Sequence, residues 1–590
     1  MFKRLVEEQN WQTKISWFEP KPKFQTFHSV WHDFNVGELG EFHPPDESAP
    51  VVCVMDTGVT AGNPFLEPVT RDDLLHSFLR KAPENPFDEF GHGSGVASLV
   101  GYYAVNLEKG AANSANVWVA GARVLDENNE LEDERLFSAV IREVVGMFVP
   151  KGVRIFVLAI GDAGKKWNPA TKRTIPRKSW VARTLDHLSR QHDIVFVTCT
   201  GNLDRSSVRC FLDEGISYPE YLVDEDSRIL DPGQAALALT VGSIAPGTLV
   251  VSSPGTAIAS AHQPSPFTRS GPGIRNEIKP ELVEYGGNLI RDASGDWVTE
   301  NPGTNVVMAS HQLSPAVCHD QGTSYAAPRA AYKLAQVLGD LEDLDVGSVS
   351  SALLKAFLVN SATYRGDNDA LQHVQNRLDK QRQWLNVLGY GFPDHVRATY
   401  CDDYSTILYY QGEITPNDVA FFDVPIPDSL RDSGSTKRLT VTVVHTPEVQ
   451  RWGLERYTGT DLKWRMFRGN VRQDDVIAAM ATDEEATNEN DPESDDIELP
   501  NELKFLHKIN RRSRGVVQHD IHEWTQHREG YSDSYYTLAI AAYERWSRKN
   551  PANVPIAVVI RLEDLGRVAK VYADVSRILA ELQIESEARQ

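Results

Sequence analysis

Two kinds of apolar pattern alternate over the first four hundred residues. Short unbroken runs at 51–55 (VVCVM), 117–125, 153–160, 193–200 and 236–244 have the character of strands buried on both faces. Between them, 136–148 (LFSAVIREVVGMF) and 180–191 (WVARTLDHLSRQ) place apolar residues at helical spacing, and 322–338 reads as another long helix with Pro328 near its start. Strands alternating with helices predict a mostly parallel sheet with helices on both faces, a three-layer α/β unit. After about residue 400 the period changes. Residues 438–445 (RLTVTVVH) alternate strictly, 555–562 (PIAVVIRL) form a second strand candidate, and the main helical signal is at 572–583. This predicts a smaller β-rich, sandwich-like domain. The expected division is an N-terminal extension at 1–49, an α/β domain at 50–398 and the β-rich domain at 399–590. Within the last, the acidic stretch around 482–498 is expected to be a disordered surface insertion. No internal repeat is evident.

Composition narrows the function. The 590 residues are 41% apolar and 24% charged, as in ordinary globular proteins. Asp and Glu number 82 against 60 Lys and Arg, a net charge of −22, which speaks against a nucleic-acid partner. No apolar run approaches the ~18–20 residues of a membrane span, and the first residues lack the apolar core of a signal peptide. The five cysteines (Cys53, Cys199, Cys210, Cys318, Cys401) show no CxxC spacing, so neither a disulfide framework nor a zinc site is expected. These features predict a cytoplasmic protein with no membrane partner.

Three segments carry candidate chemistry. Asp56 ends the first strand in a DTG turn, where α/β proteins place their sites. His92 opens a helix in FGHGSGVASLVG (90–101). Ser324 lies at a helix N-terminus in QGTSYAAPRAA (321–331), close to backbone N–H groups able to hold an oxyanion. Singly, each has a plain structural reading: a turn, a core histidine, an N-cap. Together they supply a nucleophile, a base to take its proton, and a carboxylate to orient the base. The order Asp, His, Ser is the one that separates subtilisin from chymotrypsin and from α/β-hydrolases.

With VCVMDTGV (52–59), HGSGVAS (92–98) and GTSYAAP (322–328), the chain resembles the subtilase family of serine peptidases over about residues 50–400. It departs at Ser94, where threonine is commoner. The resemblance implies a subtilisin-like fold and peptide-bond hydrolysis through an acyl-enzyme, with Ser324 as nucleophile, His92 as base and Asp56 orienting it. VFVTCTGN (195–202) is similar to the segment whose asparagine contributes to the family's oxyanion hole, here Asn202. Residues 217–223 and 265–287 also match family segments. By the same resemblance, Ala159, Ile160 and Gly161 with residues 199–202 flank the first specificity pocket. The substrate is expected to add as a strand beside 123–131, including Leu125, and 159–162.

No cofactor is required. Structural calcium is common in the family, but no loop shows clear ligand spacing, and no metal ligand is assigned. The acidic residues Asp126, Glu127, Glu130, Glu132, Asp133 and Glu134 either favour basic residues upstream of the cleaved bond or form a solvated loop. About fifty residues precede Asp56, short for a secreted subtilase prodomain, so either the chain is trimmed or its activity is expected to be restrained in another way. The missing signal peptide, KPELVEYGG (279–287) and RGVVQHD (514–520) make the chain similar to intracellular bacterial members. Some of those are encoded beside ATPases or in phage-defence clusters, which implies a regulatory ATPase partner and an antiviral role. Two other uses of the fold stay open: a non-catalytic scaffold or partner-gated module, and a transferase in which an amine intercepts the acyl-enzyme.

Overall fold

The computed structural model describes residues 29–30, 36–132, 135–162, 178–251, 254–299, 301–344, 346–364, 374–378, 384–432, 434–450, 457–469, 471–485, 499–525 and 534–588. Its centre is a seven-stranded parallel sheet. In chain order the strands are β1 (Val51–Asp56), β2 (Thr70–Ser77), β3 (Trp118–Arg123), β4 (Ile155–Leu158), β5 (Val195–Cys199), β6 (Leu239–Ile244) and β7 (Leu282–Tyr285). They lie side by side as β7-β6-β5-β4-β1-β3-β2, with the winding direction reversing at β1.

Every second residue of a central strand faces one layer and its neighbours face the other. Val52 and Val54 of β1 join one apolar cluster, while Cys53 and Met55 join a second. Ile155 and Val157 divide from Phe156 and Leu158 in the same way. The second cluster is completed by α2 (Phe137–Phe148) and α3 (Trp180–His192). The first is completed by α1 (His92–Tyr102), α5 (Thr323–Asp343) and α6 (Ser351–Asn360); the short helix α4 (Arg205–Asp213) follows β5. A strand covered on both faces has no use for polar alternation, and this accounts for the unbroken apolar runs. Burial of α5 on nearly all sides has the same cause: it runs under β1, β4, β5, β6 and β7.

An antiparallel hairpin, β8 (Val306–Ala309) and β9 (Val317–Asp320), leads into α5, and Ser29–Val30 pairs antiparallel with β9. The later part of the chain forms two antiparallel sheets. One has the order β10 (Ser405–Ile414), β16 (Val554–Asp564), β12 (Lys437–His445), β14 (Val517–Trp524). The other has the order β11 (Val419–Pro425), β15 (Tyr535–Glu544), β13 (Thr460–Arg468). Leu439, Val441 and Val443 of β12 meet Leu462, Trp464 and Met466 of β13 and Leu538 and Ile540 of β15 in a core between the sheets. Helical content here exceeds the expectation, because Gln473–Glu485 is helical as well as Val571–Ala588.

The outer face of the four-stranded sheet is not solvated. Val444, Val517, Ala557 and Val559 share the first apolar cluster with α6. At the end of α6, Asn360 Nδ2 donates to Thr442 Oγ1 (3.1 Å) and to the Val559 carbonyl (3.0 Å). Tyr457 OH donates to Asp186 Oδ2 at 2.6 Å. Much of the expected N-terminal extension (1–28 and 31–35), Asp133 and Glu134, and residues 486–498 of the acidic stretch lie outside the described residues.

Candidate active site

The first strand delivers Asp56 to the carboxyl edge of the sheet, at the point where the winding reverses. The chain then turns through Thr57 and Gly58, and α1 is brought against that turn. A Cβ on Gly93 would come within 2.2 Å of the Gly58 carbonyl, so glycine at this position is what permits the approach. The first-turn donors of α1 are satisfied from outside the helix: Gly93 N donates to Thr57 Oγ1 (2.9 Å) and Ser94 N to Asp88 Oδ2 (2.8 Å). Asp88 also accepts from Thr57 Oγ1 (2.8 Å) and Gly91 N (2.7 Å). Thus one buried carboxylate ties the Asp56 turn to the helix start that carries His92. Sequence reading missed it; its only signal was an acid four residues ahead of the histidine.

His92 is fully buried, and its Nδ1 lies 2.8 and 2.9 Å from the two Asp56 oxygens. Burial alone lowers the basicity of the imidazole. The Asp56 charge and hydrogen bond, followed by the Asp88 and Asp320 charges, outweigh that and raise it above the usual histidine value. Among the described residues, His92 Nε2 is buried without a hydrogen-bond partner.

Ser324 occupies the second position of α5, where backbone N–H groups have no acceptor within the helix. Pro328 lacks the N–H that would ordinarily bond the Ser324 carbonyl four residues back. Cys199, at the end of β5, lines the same cavity as Ser324, and burial pushes its thiol up. Ser324 and His92 line the same cavity, but the bond between the serine hydroxyl and His92 Nε2 is not made.

Asn202 follows β5 through Gly201, whose φ of +85° suits glycine and whose Cβ would strike Leu230 at 2.7 Å. The Asn202 side-chain oxygen accepts from Thr323 N (2.9 Å) and Thr323 Oγ1 (3.1 Å), which turns its NH2 toward Gly322. A third contact holds the backbone of Asn202: buried Arg269 donates to its carbonyl at 2.9 Å and to the carbonyls of Asp226 and Arg228. Burial lowers the Arg269 guanidinium to about 10. Arg269 lies inside the matched segment 265–287, but nothing there marked its contact with Asn202.

The cavity has a volume of about 310 Å³. Ala159, Ile160 and Gly161 line it beside Cys199, Gly201 and Leu230, while Arg205, Phe267, Asp320 and Gln321 also border it. Leu125 is not brought there. Its side chain is fully buried in the apolar cluster under α2 and α3, and its N–H reaches the Asp56 carbonyl at 3.3 Å. The acidic loop is also less available than its composition suggests. Glu132 is buried and accepts from Arg80 N (2.9 Å) and Lys81 N (2.8 Å), and Asp126 closes a turn on Asn128 N and Glu130 N. Among the described residues no cluster of three or more His, Cys, Asp or Glu is placed to hold a metal ion. Among them, too, no helix is long and apolar enough to cross a membrane.

An imidazole, a serine and an amide line one cavity at this sheet, with the Asp56 carboxylate behind the imidazole. Residues 47–391 match the model of the subtilase family, and the chain belongs to that family: it is a subtilisin-like serine peptidase, a hydrolase of peptide or protein substrates. The uncharacterized protein y4bN of Sinorhizobium fredii is 32% identical over 331 residues, spanning 54% of this chain and 72% of its own. Among solved structures, a lanthipeptide protease aligns at 16% identity and TM-score 0.38, covering 59% of this chain and 86% of that one. The epidermin leader peptide processing serine protease EpiP of Staphylococcus aureus aligns at 14% identity and TM-score 0.38, covering 60% and 76%.

Proposed function

We propose that the chain cleaves peptide bonds through an acyl-enzyme built on Ser324, His92 and Asp56. Ser324 Oγ attacks the scissile carbonyl carbon while its proton passes to His92 Nε2. The C–N bond then breaks, and the same proton leaves on the departing amine. Water, deprotonated by His92, releases the acid and restores the serine. Asp56 holds the imidazole in the tautomer that leaves Nε2 able to accept and balances the imidazolium as it forms. The Asn202 NH2 and the Ser324 N–H hold the oxyanion. The observation that carries this reading is the paired contact of His92 Nδ1 with both Asp56 oxygens, at the rim of the cavity that Ser324 and Asn202 line.

Ala159, Ile160 and Gly161 form an apolar, uncharged wall of that cavity, which fits an apolar side chain at the cleaved residue. Labelling with a fluorophosphonate probe tests the assignment. The native chain is expected to label and Ser324→Ala to stay blank. A native chain that neither labels nor hydrolyses a peptide library would favour a scaffold on the same fold. A product heavier than the hydrolysis product by the mass of an amine less one water would favour the transferase.

A further inference from the structure

We infer that Asp320 is a second carboxylate acting on His92: held in place by Tyr325, it offsets the positive charge His92 gains when Ser324 gives up its proton. The inference rests on the serine peptidase reading of the site. Asp320 ends β9, five residues ahead of Tyr325 on α5, and both border the cavity with His92. Tyr325 OH donates to Asp320 Oδ2 at 2.8 Å, and Gln321 N donates to Oδ1 at 2.7 Å. The Tyr325 ring packs on the imidazole, with centroids 5.6 Å apart at a 45° tilt. Tyr325 is itself buried and so cannot swing away without opening the core beneath the site. Tyr325 therefore holds the carboxylate while its ring packs on the imidazole, whose Nδ1 is already occupied by Asp56.

The surrounding charges are unequal. His92 is faced by Asp56 at the end of β1, by Asp88 from the loop before α1, and by Asp320. Asp320 is faced by His92, by Arg205 at the start of α4, by the Tyr325 hydroxyl, and by the buried Cys318 thiol of its own strand. Burial pushes Asp320 up to about 7, against the pull of the Gln321 and Tyr325 donors and of the His92 and Arg205 charges. A proton arriving on His92 therefore favours loss of one from Asp320. The two groups titrate as a linked pair. In this arrangement Asp320 is a positioning residue, since it touches neither the serine nor the scissile bond.

The test reads His92 directly. In the full-length chain carrying Ser324→Ala, the downfield proton resonance of His92 Nδ1–H is followed against pH, with and without Asp320→Asn. Removing the charge is expected to lower the His92 midpoint by roughly one pH unit. In the chain with Ser324 intact, the acid limb of kcat/KM should move down with it, and kcat on the plateau should fall roughly tenfold at unchanged KM, one unit and tenfold being the same free energy. Tyr325→Phe keeps the carboxylate but removes its anchor; it should shift the midpoint in the same direction by less, and add nothing to Asp320→Asn. Coincident midpoints in native and Asp320→Asn chains overturn the inference, as does an unmoved midpoint in Tyr325→Phe should Asp320→Asn fail to fold. The resonance needs no turnover, so a shifted midpoint beside a Ser324-intact chain that hydrolyses nothing would count against the peptidase reading while leaving the action of Asp320 on His92 standing.

Discussion

Replacing Asp88 with asparagine perturbs the site without touching a residue assigned to bond cleavage. The aspartate is buried and accepts four hydrogen bonds, from Thr57 Oγ1, Phe90 N, Gly91 N and Ser94 N, between 2.7 and 3.1 Å. An asparagine can turn its one oxygen toward the three donors that share Oδ1. Its NH2 must then face the Ser94 N–H, so one helix-start donor goes unsatisfied and the remaining bonds lose their charge. Losing a charge-assisted bond and stranding a buried donor costs about 3 kcal/mol together. At ~0.8 °C per kcal/mol for a chain of this length, the melting temperature should fall by about 2 °C. The displaced helix start also moves His92 relative to Asp56, and a shift of this kind should lower kcat/KM by roughly 10–100-fold. Thermal melts and peptide hydrolysis on Asp88→Asn, with Asp88→Ala as the more severe variant, give both numbers. If Asp88→Asn melts with the native chain and cleaves at the native rate, Asp88 does not organise the site.

Other outcomes rest on the same geometry. Ser324→Ala should abolish fluorophosphonate labelling and remove nearly all turnover, roughly 10⁶-fold if the figure for another subtilisin carries over. Asn202→Ala should lower kcat by ~10²–10³, again the subtilisin scale, with little change in KM. Because His92 must be neutral to accept a proton and its basicity is raised, activity should fall away on acidification with a midpoint above 6.5; a midpoint well below that would contradict the charge arrangement. Stability should show a separate acid dependence. Burial lowers His445 to about 4 and His519 to about 3, so the unfolded chain takes up protons near 6.5 that the folded chain refuses. Both histidines therefore destabilise the fold as pH drops from about 6.5 toward 4, and His519→Gln should flatten that slope in denaturant titrations at stepped pH.

Five of the seven parallel strands were legible because a strand sandwiched between helix layers needs no polar face; Thr70–Ser77 and Leu282–Tyr285, the two edge strands, were not. Asp56, His92, Ser324 and Asn202 were legible for a different reason: each is embedded in a short stretch whose small residues are demanded by a turn or a close approach, such as Gly93 against Gly58. Asp88, Asp320, Tyr325 and Arg269 were not. Each acts across 31 or more residues or through a neighbour's packing, so even within the matched segments 265–287 and 322–328 nothing announces the contacts that Arg269 and Tyr325 make. Leu125 shows the converse: it sits in the segment expected to flank substrate, yet its side chain points down into the apolar layer. In the later sheets, Ser405–Ile414 carries exposed tyrosines at 409 and 410 in mid-strand, which erases the alternation. Its place is set by ten backbone pairings with Val554–Asp564.

A peptidase is the first protein that its own active site meets, and the Asn360 clamp bears on the outcome of a self-inflicted cut. Asn360 bridges two neighbouring strands of the four-stranded sheet, and Val444, Val517, Ala557 and Val559 share an apolar cluster with the helix it ends. A nick between the parallel sheet and the later strands would break one covalent bond while leaving that shared apolar mass intact. The pieces should travel together through a sizing column and separate only in detergent. Autolysis at such a place would alter the pattern on a gel long before it altered the catalyst.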